Sequence, residues 1–350
     1  MKRKEFIYSA SIILGASLLG CKASTNDAKS NKKHVATFDL HTHPGAFFMK
    51  GSDAYVGDEA FLKRVSEMQS SGLNGAFFSL VADWPLLQIT DKGIVPSGSF
   101  KEDEGWQVFK DQLAVLKALL EKSEANIALN ADELSQGDHV KAYIASEGGD
   151  FLGTKIGRVA EAYEAGVRAI QLVHYAPNEL GDLQTWKAEH GGLSAFGKEV
   201  VKKMNELGML IDVAHASAKT VQDVISISSS PIILSHSILK DGSNRPIEAR
   251  AISVDHAKMI ADHGGVIGMW PSGFSTSFDE FVDHTMRMLE VVGIDHLGIG
   301  TDMDANYKPV INDYGAFFDW KNALTEKGLS ADEVAKLTGG NAQRVLEEVL

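Results

Sequence analysis

The sequence predicts a closed (β/α)8 barrel of the α/β class with a C-terminal helical extension, and two observations predict it. Eight short apolar runs rich in Val, Ile, Phe and Leu recur along the chain, and between most of them lie stretches whose apolar residues repeat at helical spacing. Strands alternating with helices give a parallel sheet, and eight such units in a chain of 350 residues suggest closure into a barrel. A doubly wound open sheet is the alternative arrangement.

The strands are expected at residues 35–40, 75–81, 142–146, 168–173, 209–213, 231–235, 266–269 and 296–299. The run 75–81, GAFFSLV, is apolar almost throughout, as a strand covered on both faces must be. The sixth run opens on Pro231, a residue tolerated at the start of a strand because it has no ladder hydrogen to give. Helices are expected at 111–120, 196–207, 254–261 and 278–291, with two more closing the chain at 331–337 and 341–349. In 196–207 the apolar residues Phe196, Val200, Val201, Met204 and Leu207 fall on one stripe. Residues 126–130 read as a short additional strand outside the eight.

The N-terminus has a different character. Lys2, Arg3 and Lys4 precede a mostly apolar run over 6–19, which is too short to span a bilayer comfortably and reads as a secretory signal over residues 1–21. Its end, Leu18-Leu19-Gly20-Cys21, resembles the lipobox of bacterial lipoproteins. Cys21 is the only cysteine, so no intrachain disulfide can form, and lipidation of its thiol explains its presence. Residues 22–33 are polar and unpatterned and read as a flexible tether. The remainder, 34–350, has no second linker and no repeat, which makes it one domain, the barrel. The expected location is the bacterial cell envelope, lipid-anchored at the periplasmic face or the outer membrane. A formal net charge of -13 without a Lys/Arg cluster argues against a nucleic-acid partner.

Function in a barrel of this kind sits at the C-terminal rim, on the residues that directly follow the strands. Those positions hold His41 and His43 after the first strand, Glu147 after the third, His174 after the fourth, His215 after the fifth, His236 after the sixth and Asp302 after the eighth. Period-2 alternation sends His41 and His43 to the same side. Five of the twelve histidines thus stand at strand ends, which random scatter would rarely produce. Imidazoles and carboxylates converging from several strands are what a metal cluster needs. Seven ligands exceed the needs of one tetrahedral ion, so two divalent ions bridged by a carboxylate are expected, with Glu147 as the bridge because Gly148 and Gly149 let the backbone pack closely around it.

These residues carry a resemblance. The segments DLHTHPG, IASEGGD, GGLSAFGKEVVKKMNELGMLIDVAHAS, PIILSHS, MIADHGGVIGMW, VVGIDHLGIGTDMDA and LTGGNAQRVLE, in that order, resemble the membrane dipeptidase (renal dipeptidase) family of the amidohydrolase superfamily. The resemblance implies two zinc ions. One is held by His41, the residue at His43 and Glu147, with Asp302 on it or beside it; the other by Glu147, His215 and His236. It also implies that His174 touches the substrate and that an arginine after His236 grips its carboxylate. The implied activity is hydrolysis of small dipeptides, with loose stereochemical demands that extend to a D-residue at the C-terminal position, by a metal-bridging hydroxide. A homodimer is compatible with this reading.

Chemistry read from the residues agrees with those roles. A water bridging two cations loses a proton near neutral pH, Asp302 can pass that proton to the leaving amine, and His174 is placed to stabilise the oxyanion although it has no evident metal-binding neighbour. Asp304, two residues beyond Asp302, would point the same way on an extended strand and orient a ligand, whereas Asp212 would face a helix. Arg250 and Arg245 are both candidates for the carboxylate: counting back from Gly264-Gly265 favours Arg250, counting forward from His236 leaves about three extra residues. The asparagine that usually follows this arginine is Ala251 here.

A second departure touches the metals. The family usually carries Asp where this chain has His43, and His-x-His is the pair seen in other amidohydrolases. An imidazole in place of a carboxylate leaves the cluster one unit more positive and can shift metal preference. The alternative function is therefore another binuclear amidohydrolase, acting on a lactone, cyclic amide or phosphoester.

Overall fold

Eight parallel strands form the sheet of this computed structural model, which describes residues 35–90, 93–245 and 247–350. In chain order they are β1 (Phe38–Thr42), β2 (Gly75–Val81), β3 (Lys141–Glu147), β4 (Val167–Gln171), β5 (Leu210–Asp212), β6 (Ile233–Ser237), β7 (Val266–Met269) and β8 (Leu297–Ile299). Each pairs with its sequence neighbour. The ends meet just past the regular ladders, where Asp302 N–H donates to His41 O at 2.8 Å and His43 N–H to Met303 O at 3.0 Å. The expected signal (1–21) with Cys21, the tether (22–33) and the domain's first residue lie outside the described residues. Among the described residues no helix is long and apolar enough to cross a membrane.

The expected strands are all present, with shifted edges. β1 begins three residues later than expected, because its ladder with β2 starts at Phe38↔Gly75, and it continues to Thr42, so His41 lies inside the strand. The short extra strand is Asn126–Ile127, paired parallel to β3 at Lys141 and Ala142. An antiparallel hairpin, Leu87–Thr90 with Gly93–Pro96, stands apart in the loop after β2.

Among the described residues there are ten α-helices: α1 (Asp58–Ser71), α2 (Glu104–Leu120), α3 (Gly157–Glu164), α4 (Ala195–Leu207), α5 (Ala218–Ile225), α6 (Val254–Asp262), α7 (Phe278–Val292), α8 (Tyr314–Glu326), α9 (Ala331–Ala335) and α10 (Asn341–Val349). Several start where the sequence supplies a cap. The side chains of Ser194, Ser217, Ser253, Ser277, Asp313 and Ser330 each accept from a backbone N–H of the first turn.

Two apolar layers result. The larger fills the space between sheet and helices. The smaller lies inside the barrel, where Phe38, Phe77, Tyr143, Leu210, Ile233 and Val266 pack with Ala342, Val345 and Leu346 of α10. The C-terminal helix therefore plugs the N-terminal mouth. The expected helix over 331–337 stops at Ala335 and passes through a wide turn, Lys336–Gly340, into α10. The turn lies against β1: a Cβ on Gly339 would stand 1.9 Å from Ala36 O, so only glycine permits the approach. With one mouth plugged, the polar residues at the opposite strand ends are left to the other.

Candidate metal centre

Glu147 ends β3 at the centre of the open mouth, and the other six strand-end residues gather around it. Its Oε1 lies 3.3 Å from His41 Nε2, 3.3 Å from His174 Nε2, 3.4 Å from His215 Nε2 and 3.7 Å from His236 Nε2. Its Oε2 lies 3.3 Å from His43 Nε2. Asp302 Oδ1 is 3.4 Å from His43 Nε2 and 4.0 Å from His41 Nε2. The two Nε2 atoms of His41 and His43 are 3.0 Å apart, as are those of His215 and His236. All seven side chains are buried, Asp302 the least so at 7 % exposure.

The backbone is bent to bring them there. His215 and Asp302 occupy the left-handed region, at φ 65 and 53, which non-glycine residues adopt only when their surroundings hold them. Gly148 follows Glu147 at φ 89, and a Cβ on Gly149 would stand 2.2 Å from Leu180 Cδ1.

Hydrogen bonds set which ring nitrogen faces inward. His43 Nδ1 lies 2.8 Å from Ser79 O and must donate to that carbonyl, which turns the Nε2 lone pair toward the cluster. His236 Nδ1 meets Ser235 Oγ at 3.0 Å. His174 Nδ1 donates to Asp83 Oδ1 at 2.7 Å, while Asp83 Oδ2 accepts from the Tyr175 and Ala176 N–H groups.

Charge divides the cluster. Burial alone would lower the His43 imidazole, but Asp302 and Glu147 outweigh it and push its pKa up to about 10. Burial likewise opposes protonation of His174, yet Asp83 and Glu147 raise it. His215 and His236 go the other way. Burial, Arg250 and neighbouring imidazoles hold both well below the usual range. Glu147 would be raised by burial, but His174 and His41 lead the interactions that bring it well below the carboxylate range.

This donor set fits divalent cations. Two nitrogens on one tetrahedral zinc, each about 2.0–2.1 Å from it, stand roughly 3.3 Å apart, close to the 3.0–3.4 Å separations within the cluster. Three groupings could hold an ion: His41, His43 and Asp302; His41, Glu147 and His236; Glu147, His174 and His215. His174, expected to lack a metal-binding neighbour, lies within one of them.

The structure separates the two arginine candidates and moves two aspartates from their expected places. Arg250 reaches the cluster, its Nη2 3.3 Å from His236 Nε2, its Nη1 donating to Gln184 Oε1 and its Cζ 5.5 Å above the Trp270 ring. Arg245 does not; Glu280 Oε1 holds it at 2.6 Å and it donates to Phe274 O. Asp304 lies at φ 69 rather than on an extended strand, and Oδ1 accepts from Arg64 Nη2 at 2.7 Å while Oδ2 accepts from Gly45 N–H at 2.7 Å. Asp212 faces β6, not a helix: Oδ1 accepts from Ala214 N–H at 2.9 Å and Ser235 N–H at 3.0 Å.

Four residues at the site were missed by the sequence reading. Asp83 supports His174, Gln184 pairs with Arg250, Tyr175 packs its ring 4.8 Å from His215, and Trp270 donates from Nε1 to Asp302 Oδ2 at 3.1 Å. Asp83 and Trp270 follow β2 and β7, the two strand ends for which no candidate was named, so the strand-end rule had the means to find them.

A family model described as membrane dipeptidase (Peptidase family M19) matches residues 28–350. Dipeptidase aclJ of Aspergillus oryzae is 28 % identical over 221 residues, 60 % of this chain and 52 % of that protein. Dipeptidase verJ of Clonostachys rogersoniana is 26 % identical over 298 residues, 81 % of this chain and 75 % of that protein. The match thus spans from about half to three quarters of the length of these two relatives. Among solved structures, a metallo peptidase from Rhodobacter sphaeroides, liganded with a phosphinate mimic of the dipeptide L-Ala-D-Ala, superposes with TM-score 0.73 at 19 % identity, covering 90 % of this chain and 99 % of that one. The dipeptidase AC, a metallo peptidase, gives TM-score 0.75 at 19 % identity, covering 90 % and 98 %. These two share the fold with the present chain.

Proposed function

The chain belongs to the membrane dipeptidase family, Peptidase family M19, and from that premise we propose that it is a zinc-dependent dipeptidase acting on small dipeptides with a free C-terminus. The observation that carries this reading is the meeting of Glu147 with five imidazoles and Asp302 in one buried mouth, with the Arg250 guanidinium 3.3 Å from His236.

Bound divalent cations supply Lewis acidity and an acidified water. The chain supplies the rest. Glu147 turns Oε2 toward His43 and Oε1 toward His41, His174, His215 and His236, and would be shared by the cations of both halves. Arg250, buried and with its Nε lacking a protein partner, receives the substrate carboxylate through parallel N–H bonds. His174, its Nδ1 held by Asp83 and its imidazole raised toward the protonated form by Asp83 and Glu147 against burial, directs Nε2 at the developing oxyanion. Asp302 takes up a proton on Oδ1 and returns it to the leaving amine. Tolerance of a D-residue at the C-terminal position is part of the proposal, supported by the L-Ala-D-Ala mimic seen in the Rhodobacter sphaeroides relative. His41–His43 favours a second reading, another binuclear amidohydrolase acting on a lactone, cyclic amide or phosphoester.

The test is turnover of L,L and L,D dipeptides, free and C-terminally amidated, with and without chelator. The expected result is chelator-sensitive hydrolysis of free dipeptides and poor turnover of amides. Hydrolysis of lactones but not dipeptides would favour the second reading. We further propose that residues 34–350 are the catalytic unit, anchored to the cell envelope through a lipid on Cys21 after removal of the preceding signal. Loss of incorporated radiolabelled palmitate in Cys21→Ala tests the anchor; undiminished labelling would refute it.

A further inference from the structure

Trp270 follows β7 directly and is 4 % exposed. It packs in a small apolar cluster of its own with Ile238, Ala251 and Phe274, apart from the main core. Three groups of the candidate site touch its ring from different directions. Its Nε1–H donates to Asp302 Oδ2 at 3.1 Å. The Arg250 guanidinium lies over the ring, 5.5 Å from its centroid. His236 packs against it with centroids 5.6 Å apart and planes inclined at 64°.

An indole has one donor and no acceptor, so it can hold only one carboxylate oxygen, and it can do so only from its edge. With Oδ2 taken by Trp270, Asp302 has Oδ1 left for His43 and His41, at 3.4 and 4.0 Å. The rotation of the carboxylate is thereby fixed. The face of the same ring is the surface on which Arg250 rests, where cation and π-system attract. Edge and face serve different residues, so the two services can be separated by substitution.

We infer that Trp270 is a positioning residue that fixes Asp302 through its N–H and seats Arg250 on its ring, so that carboxylate recognition and proton transfer are aligned by one side chain. This rests on the dipeptidase reading, and the test is built so that the two can fail separately. Trp270→Phe keeps an aromatic face and removes the donor. Trp270→His keeps an N–H in a five-membered ring like the one it replaces, but discards the larger part of the apolar surface.

The expected pattern is crossed. Trp270→Phe lowers kcat by about 10- to 100-fold with KM for free dipeptides nearly unmoved. Trp270→His recovers most of kcat but raises KM by about five- to tenfold and loses discrimination between free and amidated substrates. The second readout is metal retention. A chelator should strip at least one cation from Trp270→Phe at roughly tenfold lower concentration than from wild type, because an unsupported ligand binds less tightly. Thermal unfolding of the metal-loaded variants checks that each is folded. Wild-type kcat and chelator resistance in Trp270→Phe would overturn the inference, and so would equal losses of kcat and KM in both variants. If the wild type cleaves no dipeptide, the proposed function falls, while the chelator comparison still decides whether Trp270 supports Asp302.

Discussion

The two halves of the cluster share Glu147 and differ in everything electrostatic. On the β1 and β8 side, His43 stands between Asp302 and Glu147, and its imidazole is pushed up to about 10. On the β5 and β6 side, His215 and His236 are held well below the usual range by burial and by Arg250. The first half of the metal-free protein therefore keeps a positive charge at neutral pH where a cation is to sit, whereas the His215 and His236 imidazoles of the second are neutral. Equal ligand numbers do not make equal sites. A cation entering the first half must displace the charge-bearing proton of His43, whereas one entering the second meets imidazoles that are already neutral.

The most damaging change should be the one that removes what the halves share. Glu147→Gln takes away the charge of the carboxylate that contacts both sides, and we expect kcat/KM to fall by at least about 10³-fold, with bound metal falling below two equivalents by elemental analysis. Retention of both metals would mean that the halves are held independently. Asp83→Asn comes next. An amide there removes the carboxylate charge that raises the imidazole and the acceptor that fixes Nδ1, so His174 becomes a weaker, less well-oriented donor and kcat is expected to drop about 10²-fold with KM preserved. An unchanged kcat would show that His174 is oriented without Asp83.

His43→Asp sharpens the comparison more than it damages the protein. In the wild type, cation uptake at pH 7 should release about one proton from the first half, measurable by titration calorimetry in buffers of different ionisation enthalpy. The variant should release close to none. The same group governs the pH response of the metal-free protein. The folded pKa of His43 lies above the unfolded value near 6.5, so its contribution is complete below pH 6.5 and is lost as the pH rises through about 10. Metal-free wild type should therefore lose stability to urea between those limits, and His43→Asp should not show that loss. A flat wild-type profile would remove the proposed difference between the halves.

What could be read in advance follows from where each signal resides. The residues of the cluster were legible because a (β/α)8 barrel exports function to strand ends, and a histidine after an apolar run is conspicuous. Asp83 and Trp270 stand at the same kind of position, after β2 and β7, but an aspartate beside a tryptophan and proline, or a tryptophan prolonging an apolar run, reads as loop or core. Tyr175 and Gln184 depend on how the loop after β4 folds back. There Asp182 accepts three backbone N–H groups, those of Glu189, His190 and Gly192, an arrangement no local spacing announces. The plugging of the lower mouth by α10 was half legible: the helix could be seen, but its seat depends on a glycine meeting β1 across some 300 residues of chain.

Asp302 and Asp304 bring the comparison to its smallest scale. Two residues apart in TDMDA, both have positive φ, at 53 and 69, so the alternation that would have sent them the same way does not apply. Asp302 turns into the cluster. Asp304 turns outward to Arg64 and to Gly45 N–H, tying the loop after β1 to α1. Both members of the Arg64–Asp304 pair are partly solvated, 16 % and 20 % exposed in their side chains, so screening limits what the pair contributes. Asp304→Asn should accordingly cost about 1 kcal/mol and lower Tm by a few degrees, leaving kcat within about threefold of wild type. A collapse of turnover at an unmoved Tm would return Asp304 to the cluster and show that the chain's own turn, not the strand rule, had been misread.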